Sequence, residues 1–133
     1  MAKAEIRDEL SFKAPTRVGL LADVTGALFA AGVDIRAIGA YDRGDMGEFL
    51  LLTGNNRAAA EALAKLGGEL DIVPVVVVEV EAKPGQLAAI SRRLSDAGLN
   101  VDQVHATTTD ASTATIIMRV DHPARVVDLL ADV

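Results

Sequence analysis

The sequence predicts an α+β fold built from two tandem copies of one β-α-β-β-α-β unit, each an antiparallel sheet with both helices on one face. Two observations predict it. The chain repeats itself: Arg17-Val18-Gly19-Leu20-Leu21, running on to Ala31-Gly32-Val33-Asp34, returns 66 positions later as Lys83-Pro84-Gly85-Gln86-Leu87 and Ala97-Gly98-Leu99-Asn100. The same offset carries Ala40 onto Ala106 and Ala58 onto Ala124, with no gap. The second observation is that strand-like and helix-like periodicity alternate in the same order within each copy. The units fall at residues 1–73 and 74–133 of the 133.

Taken in order, Ile6, Leu10 and Phe12 share one parity of a half-buried strand over Glu5–Phe12, and Lys13–Arg17 reads as the loop out of it. Leu21, Val24, Leu28 and Ala31 then follow 3–4–3 spacing, one face of an amphipathic helix that Gly32 ends. A strand from Asp34 to about Tyr41 leads into a hairpin turn at Asp42-Arg43-Gly44-Asp45, and Phe49–Thr53 returns. Asn55 or Asn56 caps an alanine-rich helix running to Leu66, Gly67-Gly68 stops it, and Glu69–Val73 is the last strand.

Pro74 interrupts the chain before Val75–Val78, the first strand of the second unit. Leu87, Ile90, Leu94 and Ala97 repeat the helix spacing, with Gly98 as the stop. Strands are expected over Asn100–Thr108 and Thr113–Val120, around a turn at Thr109–Ser112. Asp121 is the expected cap of a last helix with Pro123 in its first turn. The counterpart of Glu69–Val73 would fall past Val133, so the second unit lacks its final strand, and that position is either empty or filled by another segment. The runs Phe49–Leu52, Val75–Val78 and Ile116–Met118 do not alternate, so both sheet faces should be buried, the second one against the other repeat or another chain. A homodimer or higher oligomer is the expectation.

Composition narrows the function. Units of this size are near the limit for an independent core, and with three Phe, one Tyr and no Trp the core is aliphatic. A net charge of −6 argues against nucleic acid or an anionic membrane as a partner. The absence of cysteine removes disulfides, thiol catalysis and thiolate metal sites. The N-terminal residues carry no apolar signal core, and the longest apolar run, Ile72–Val78, is too short to span a bilayer. A soluble cytoplasmic protein is expected.

A strand, then Lys83-Pro84-Gly85-Gln86-Leu87-Ala88 at a helix start, then Ala97-Gly98-Leu99-Asn100-Val101 opening the next strand, resembles the ACT domain. The first copy keeps Gly19, Leu21, Ala22 and Ala31-Gly32-Val33-Asp34-Ile35 but has Val18 in place of the proline. The resemblance covers nearly the whole chain and is to small stand-alone proteins with two such domains. It implies ferredoxin-like units that pair side by side and hold a small effector, usually an amino acid, near the first loop and helix start. It brings no catalytic residue, cofactor or metal.

An amino acid needs an anion site beside a cation site. Gly19 and Gly85 sit where unpaired helix N–H groups and the positive end of the dipole would face a carboxylate, with no Cβ in the way. Leu20, Leu21, Gln86 and Leu87 would donate those N–H groups, Arg17 and Lys83 would steer the carboxylate, and Asp34 and Asn100 would accept from the ammonium. Each residue has a plainer reading. The glycines permit tight turns, Asp34 and Asn100 bond local backbone, and Arg17 and Lys83 are solvated loop charges. His105 and Tyr41 read as structural. The second copy, which keeps Pro84-Gly85 and Asn100, is the better site by sequence although its unit is incomplete.

Three functions compete: an amino-acid-binding regulatory module, a subunit that docks on a metabolic enzyme and binds nothing small, and a small enzyme. No Ser/His/Asp grouping, metal-ligand cluster or nucleotide loop supports the third.

Overall fold

The computed structural model describes residues 3–108 and 112–131. These form six strands and four helices: β1 (Lys3–Pro15), α1 (Leu20–Ala30), β2 (Ile35–Arg43), β3 (Met46–Thr53), α2 (Asn56–Ala64), β4 (Glu69–Glu81), α3 (Gln86–Asp96), β5 (Val101–Thr107), β6 (Thr113–Val120) and α4 (Pro123–Leu130). The fold is α+β, with two ferredoxin-like units.

The first compact unit is Asp8–Val73. Its strand order is β2-β3-β1, closed by the Glu69–Val73 part of β4. Antiparallel pairing sets Phe12 opposite Phe49 and Ala14 opposite Gly47 across β1 and β3. One parity of these strands (Leu10, Phe12, Phe49, Leu51) packs against Leu20, Val24 and Leu28 of α1 and Ala59 and Leu63 of α2. Both helices therefore lie on one sheet face, as period-2 strands and 3.6-period helices require to share a core. Asn55 caps α2, its side chain accepting from the Ala58 N–H at 3.1 Å. Gly68 lies so close to β1 that a Cβ there would be 2.4 Å from the Lys13 carbonyl oxygen and 2.6 Å from the Phe12 ring. Glu48 is buried beside Lys13 (3.5 Å) and Arg43 (3.1 Å); the Arg43 contact is ionic, without the alignment of a hydrogen bond.

The second unit joins 74–133 with the chain's first seven residues. Its order is β5-β6-β4, and the position of the absent last strand is taken by the Lys3–Arg7 part of β1, whose Ala4 packs on the unit's core. β1 and β4 carry the same burial pattern residue for residue, from Lys3 matched to Glu69 through Pro15 matched to Glu81. The repeat thus begins earlier than the sequence motifs suggest. Lys3–Arg7 is the counterpart of Glu69–Val73, displaced to the front of the chain. The core is Val76, Val78, Ile116, Met118, Ile90, Leu94, Val126 and Leu130.

Several expectations are revised. Pro74 does not interrupt β4, because a fixed φ near −65° suits extended backbone and only one N–H is lost. The offset is not constant either. Phe12 faces Phe49 whereas Val78 faces Ile116, so beyond the hairpin the offset becomes 67. The second hairpin is one residue longer, and the caps Asn55 and His122 correspond, so Ala58 matches Arg125 rather than Ala124. His122, not Asp121, caps α4, since Pro123 occupies its first position. The turn expected at Thr109–Ser112 lies outside the described residues apart from Ser112. Leu50, Leu52, Val75, Val77 and Ile117, of the parity opposite to the helix-facing residues, are buried as well. The non-alternating runs are covered within one chain and do not by themselves require a second.

Candidate functional site

Residues 16–19 form a tight turn from β1 into α1. The Leu20 N–H bonds back to the Arg17 carbonyl oxygen (3.2 Å), and Gly19 caps the helix at φ 91°, a left-handed conformation that favours glycine. Gly85 repeats it at φ 89° before α3. With Gly19 as cap and no side-chain bond to the helix end, the first-turn N–H groups of Leu21 and Ala22 face outward, as they must at any α-helix start.

In the unit Asp8–Val73 this turn opens onto a cleft of about 300 Å³, walled by Thr16, Arg17, Gly19, Leu20 and Leu21 on one side. Ala40, Tyr41 and Asp42 from the end of β2, with Gly47 and Phe49 from β3, form the other side. Gly47 is the hinge of the arrangement. A Cβ there would sit 2.8 Å from Leu20 Cδ2 and 3.5 Å from Asp42 Oδ1. The missing side chain leaves room for the tip of the Leu20 side chain beside the Asp42 carboxylate. Thr16 Oγ1 donates to Asp42 Oδ1 at 2.8 Å and fixes that carboxylate. Arg43 lies over the Tyr41 ring, 5.8 Å from its centre.

Of the residues singled out by sequence, the structure brings Arg17, Gly19, Leu20 and Leu21 together in this cleft. Asp34 is elsewhere. It follows α1, whose 11 residues rise about 1.5 Å each and so separate its ends by about 16 Å. There Asp34 pairs with Arg36 at 3.6 Å, and its carbonyl oxygen accepts from the Gly54 N–H at 2.9 Å. Asn100 is likewise past the far end of α3, donating to Asp102 at 3.0 Å. Each side chain is bonded to a neighbouring side chain, and each residue lies past the end of its helix, opposite to the glycine at the helix start. Arg17 is engaged by Asp23 and Lys83 by Glu81 (3.5 Å), so both cations are already partly neutralised. His105 is half-buried on β5 opposite Ile117.

Sequence reading missed Thr16, Tyr41, Asp42 and Gly47. Asp42 was legible only as a turn former; nothing in the chain order says that the β2–β3 hairpin folds back beside the first loop. The second unit does not repeat the chemistry. Asp42 corresponds to Thr108, whose hydroxyl donates to the Thr113 carbonyl oxygen, and Gly47 to Ala114. Leu87 and Asn100 of that unit line a different opening, about 400 Å³, between α3 and β5. Gln86 stands half-buried and Gly85 and Lys83 exposed at the helix start. Among the described residues no group of three or more His, Cys, Asp or Glu is placed to hold a metal ion. No described helix is long and apolar enough to cross a membrane.

Comparison with known structures finds the same architecture. Protein BT0572 from Bacteroides thetaiotaomicron superposes with a TM-score of 0.88 at 21% identity, over 97% of this chain and 89% of that one. The ligand-free regulatory subunit of aspartate kinase from Thermus thermophilus gives 0.71 at 16% identity, over 96% and 94%. The corresponding subunit from Thermus flavus gives 0.68 at 19%, over 96% and 90%. At these identities the likeness is one of fold. No protein of curated function matches by sequence. The ACT domain family matches residues 9–70 and again 74–133, and the chain belongs to that family, with two ACT domains in tandem.

Proposed function

We propose that this is a non-catalytic regulatory protein of the cytoplasm, acting as a homodimer or larger assembly, that senses a free amino acid in the cleft beside Gly19. The observation that carries the reading is that the first residues of α1 and the Asp42 carboxylate, held by Thr16, line one cleft. A ligand carboxylate is suited by the α1 N–H groups and dipole, with Arg17 alongside. Its ammonium is suited by Asp42, and its side chain by Leu21, Phe49 and Ala40. The ammonium acceptor is therefore Asp42 in place of Asp34, and the first unit in place of the second. The fold neighbours named as regulatory subunits of aspartate kinase support a regulatory role. Family likeness supports an effector near the first loops where two domains meet.

Thermal melts against the twenty amino acids test this. A ligand at a hundred times its Kd stabilises by about 2.7 kcal/mol, so at least one amino acid should raise Tm by several degrees. Asp42→Asn should abolish the rise while leaving the unliganded Tm within a degree or two. A rise that survives Asp42→Asn undiminished overturns the site.

The rival reading, a subunit that docks on a metabolic enzyme and binds nothing small, is favoured by the exposed apolar side of α1 (Leu21, Phe29). It predicts flat melts with every amino acid and co-purification of a partner enzyme.

A further inference from the structure

Asp42 is carried on a sheet edge. β2 is an outer strand, with β3 as its neighbour among the described strands, and Asp42 and Arg43 are its last residues before the hairpin turn. The backbone ladder sets Asp42 opposite Gly47 and Arg43 opposite Met46, which fixes register but leaves an edge strand free to twist. Holding the carboxylate toward Thr16 calls for a further restraint.

That restraint lies on the other face of the same strands. Successive strand residues point to opposite faces, so Lys13, Tyr41, Arg43 and Glu48 lie on the face away from α1 and α2. Glu48 is their centre. It stands directly opposite Lys13 of β1 and Tyr41 of β2 and is 7% exposed. Lys13 Nζ lies 3.5 Å from one carboxylate oxygen and Arg43 Nε 3.1 Å from the other. Arg43 closes the group by lying over the Tyr41 ring. One carboxylate thus ties three strands. Each tied residue adjoins a wall of the cleft: Arg43 follows Asp42, Glu48 follows Gly47, and Lys13 leads into Thr16.

A buried carboxylate is a poor device for stabilising a sheet, because its desolvation offsets most of what its ion pairs contribute. The second unit builds the same sheet without one. Glu79 and Thr115 stand there for Lys13 and Glu48, again directly opposite each other, and Thr107 stands for Tyr41. The same unit has Thr108 for Asp42. The cleft carboxylate and the buried carboxylate occur together in one copy, and both are threonine in the other. That joint presence links Glu48 to the cleft, since the fold is made without it.

We propose that Glu48 is a positioning residue for the cleft. Through Lys13 and Arg43 it holds the end of β2 against β3 and β1, so that Asp42 stays within reach of Thr16 and faces the ligand's ammonium group. Glu48 itself touches no ligand, being on the opposite face of the sheet. The inference rests on the amino-acid reading above, and part of its test needs no ligand.

The Thr16 N–H donates to the Asp45 carbonyl oxygen at 2.8 Å and so reports whether hairpin and first loop are joined. In Glu48→Gln, which keeps the size and removes the charge, its hydrogen exchange should speed up about tenfold while the amides of Leu10–Phe12 stay as protected as before. Calorimetric titration with the amino acid that raises Tm most should give a Kd raised about tenfold, and Arg43→Met should do the same. The double variant should bind no worse than either single one, because the two residues act as one unit. A residue that only stabilises the fold would lower Tm and leave the Kd of the folded protein unchanged. That result, losses that simply add, or unaltered Thr16 exchange in Glu48→Gln overturns the proposal. Faster Thr16 exchange with flat melts for every amino acid would support the tie between hairpin and loop and contradict only the ligand reading.

Discussion

Gly47 and Gly68 do their work through what they lack. At Gly68 the space a Cβ would take is filled by the Lys13 backbone and the Phe12 ring, neither of which can move aside cheaply. Gly68→Ala should therefore destabilise by about 1–3 kcal/mol, read as a fall in the urea midpoint with an unchanged slope. At Gly47 the neighbour is the end of the Leu20 side chain, which can rotate away. Gly47→Ala is expected to cost less stability but to narrow the cleft, weakening the Tm response to the bound amino acid. Asn55→Ala removes the α2 cap and should cost about 1 kcal/mol. None of these close approaches was legible in the sequence, because a glycine kept for a neighbour across a sheet looks the same as one kept for a turn. Gly19 and Gly85 were legible, since each precedes a helical pattern and recurs at the same place in both copies.

At the scale of elements, the helices and strands follow from periodicity, with one kind of exception. β1 and β4 are each 13 residues long where shorter strands were expected. What local pattern left out is the ends of β1, at Lys3-Ala4 and Lys13–Pro15, and the continuity of Glu69–Val73 with Val75–Val78 through Pro74 and on to Glu81. What extends them is pairing, a non-local cause. That β1 also supplies the last strand of the second unit explains how 74–133 avoids a bare sheet edge. Deleting residues 1–7 should remove the neighbour of β4 in that unit. Amide hydrogen exchange is expected to accelerate at Val75–Val78 while Leu10–Phe12 stays protected; equal protection in both would contradict the strand assignment. The one-residue insertion in the second hairpin escaped notice because Ala58, beyond it, aligns by chance with Ala124 at the offset that holds before it.

For the whole molecule, duplication gave two units of one fold and then let their surfaces part. The family and the topology could be read from two matched loops. The cleft could be read only halfway, because its Arg17–Leu21 side is local in sequence and its other side comes from a hairpin some 25 residues on, at Asp42 and Gly47. The unit that looked better by motif has Thr108 where the other has Asp42, and so lacks the charge that would hold an ammonium group. The most direct test is to follow backbone amide signals by NMR while adding the amino acid that gives the largest rise in Tm. The account predicts shifts concentrated at Gly19, Leu21, Ala22, Asp42 and Gly47, with little change around Asp34, Gly85 and Asn100. Shifts centred on Asp34 or the Gly85 loop, or none with any amino acid at millimolar concentration, would contradict it.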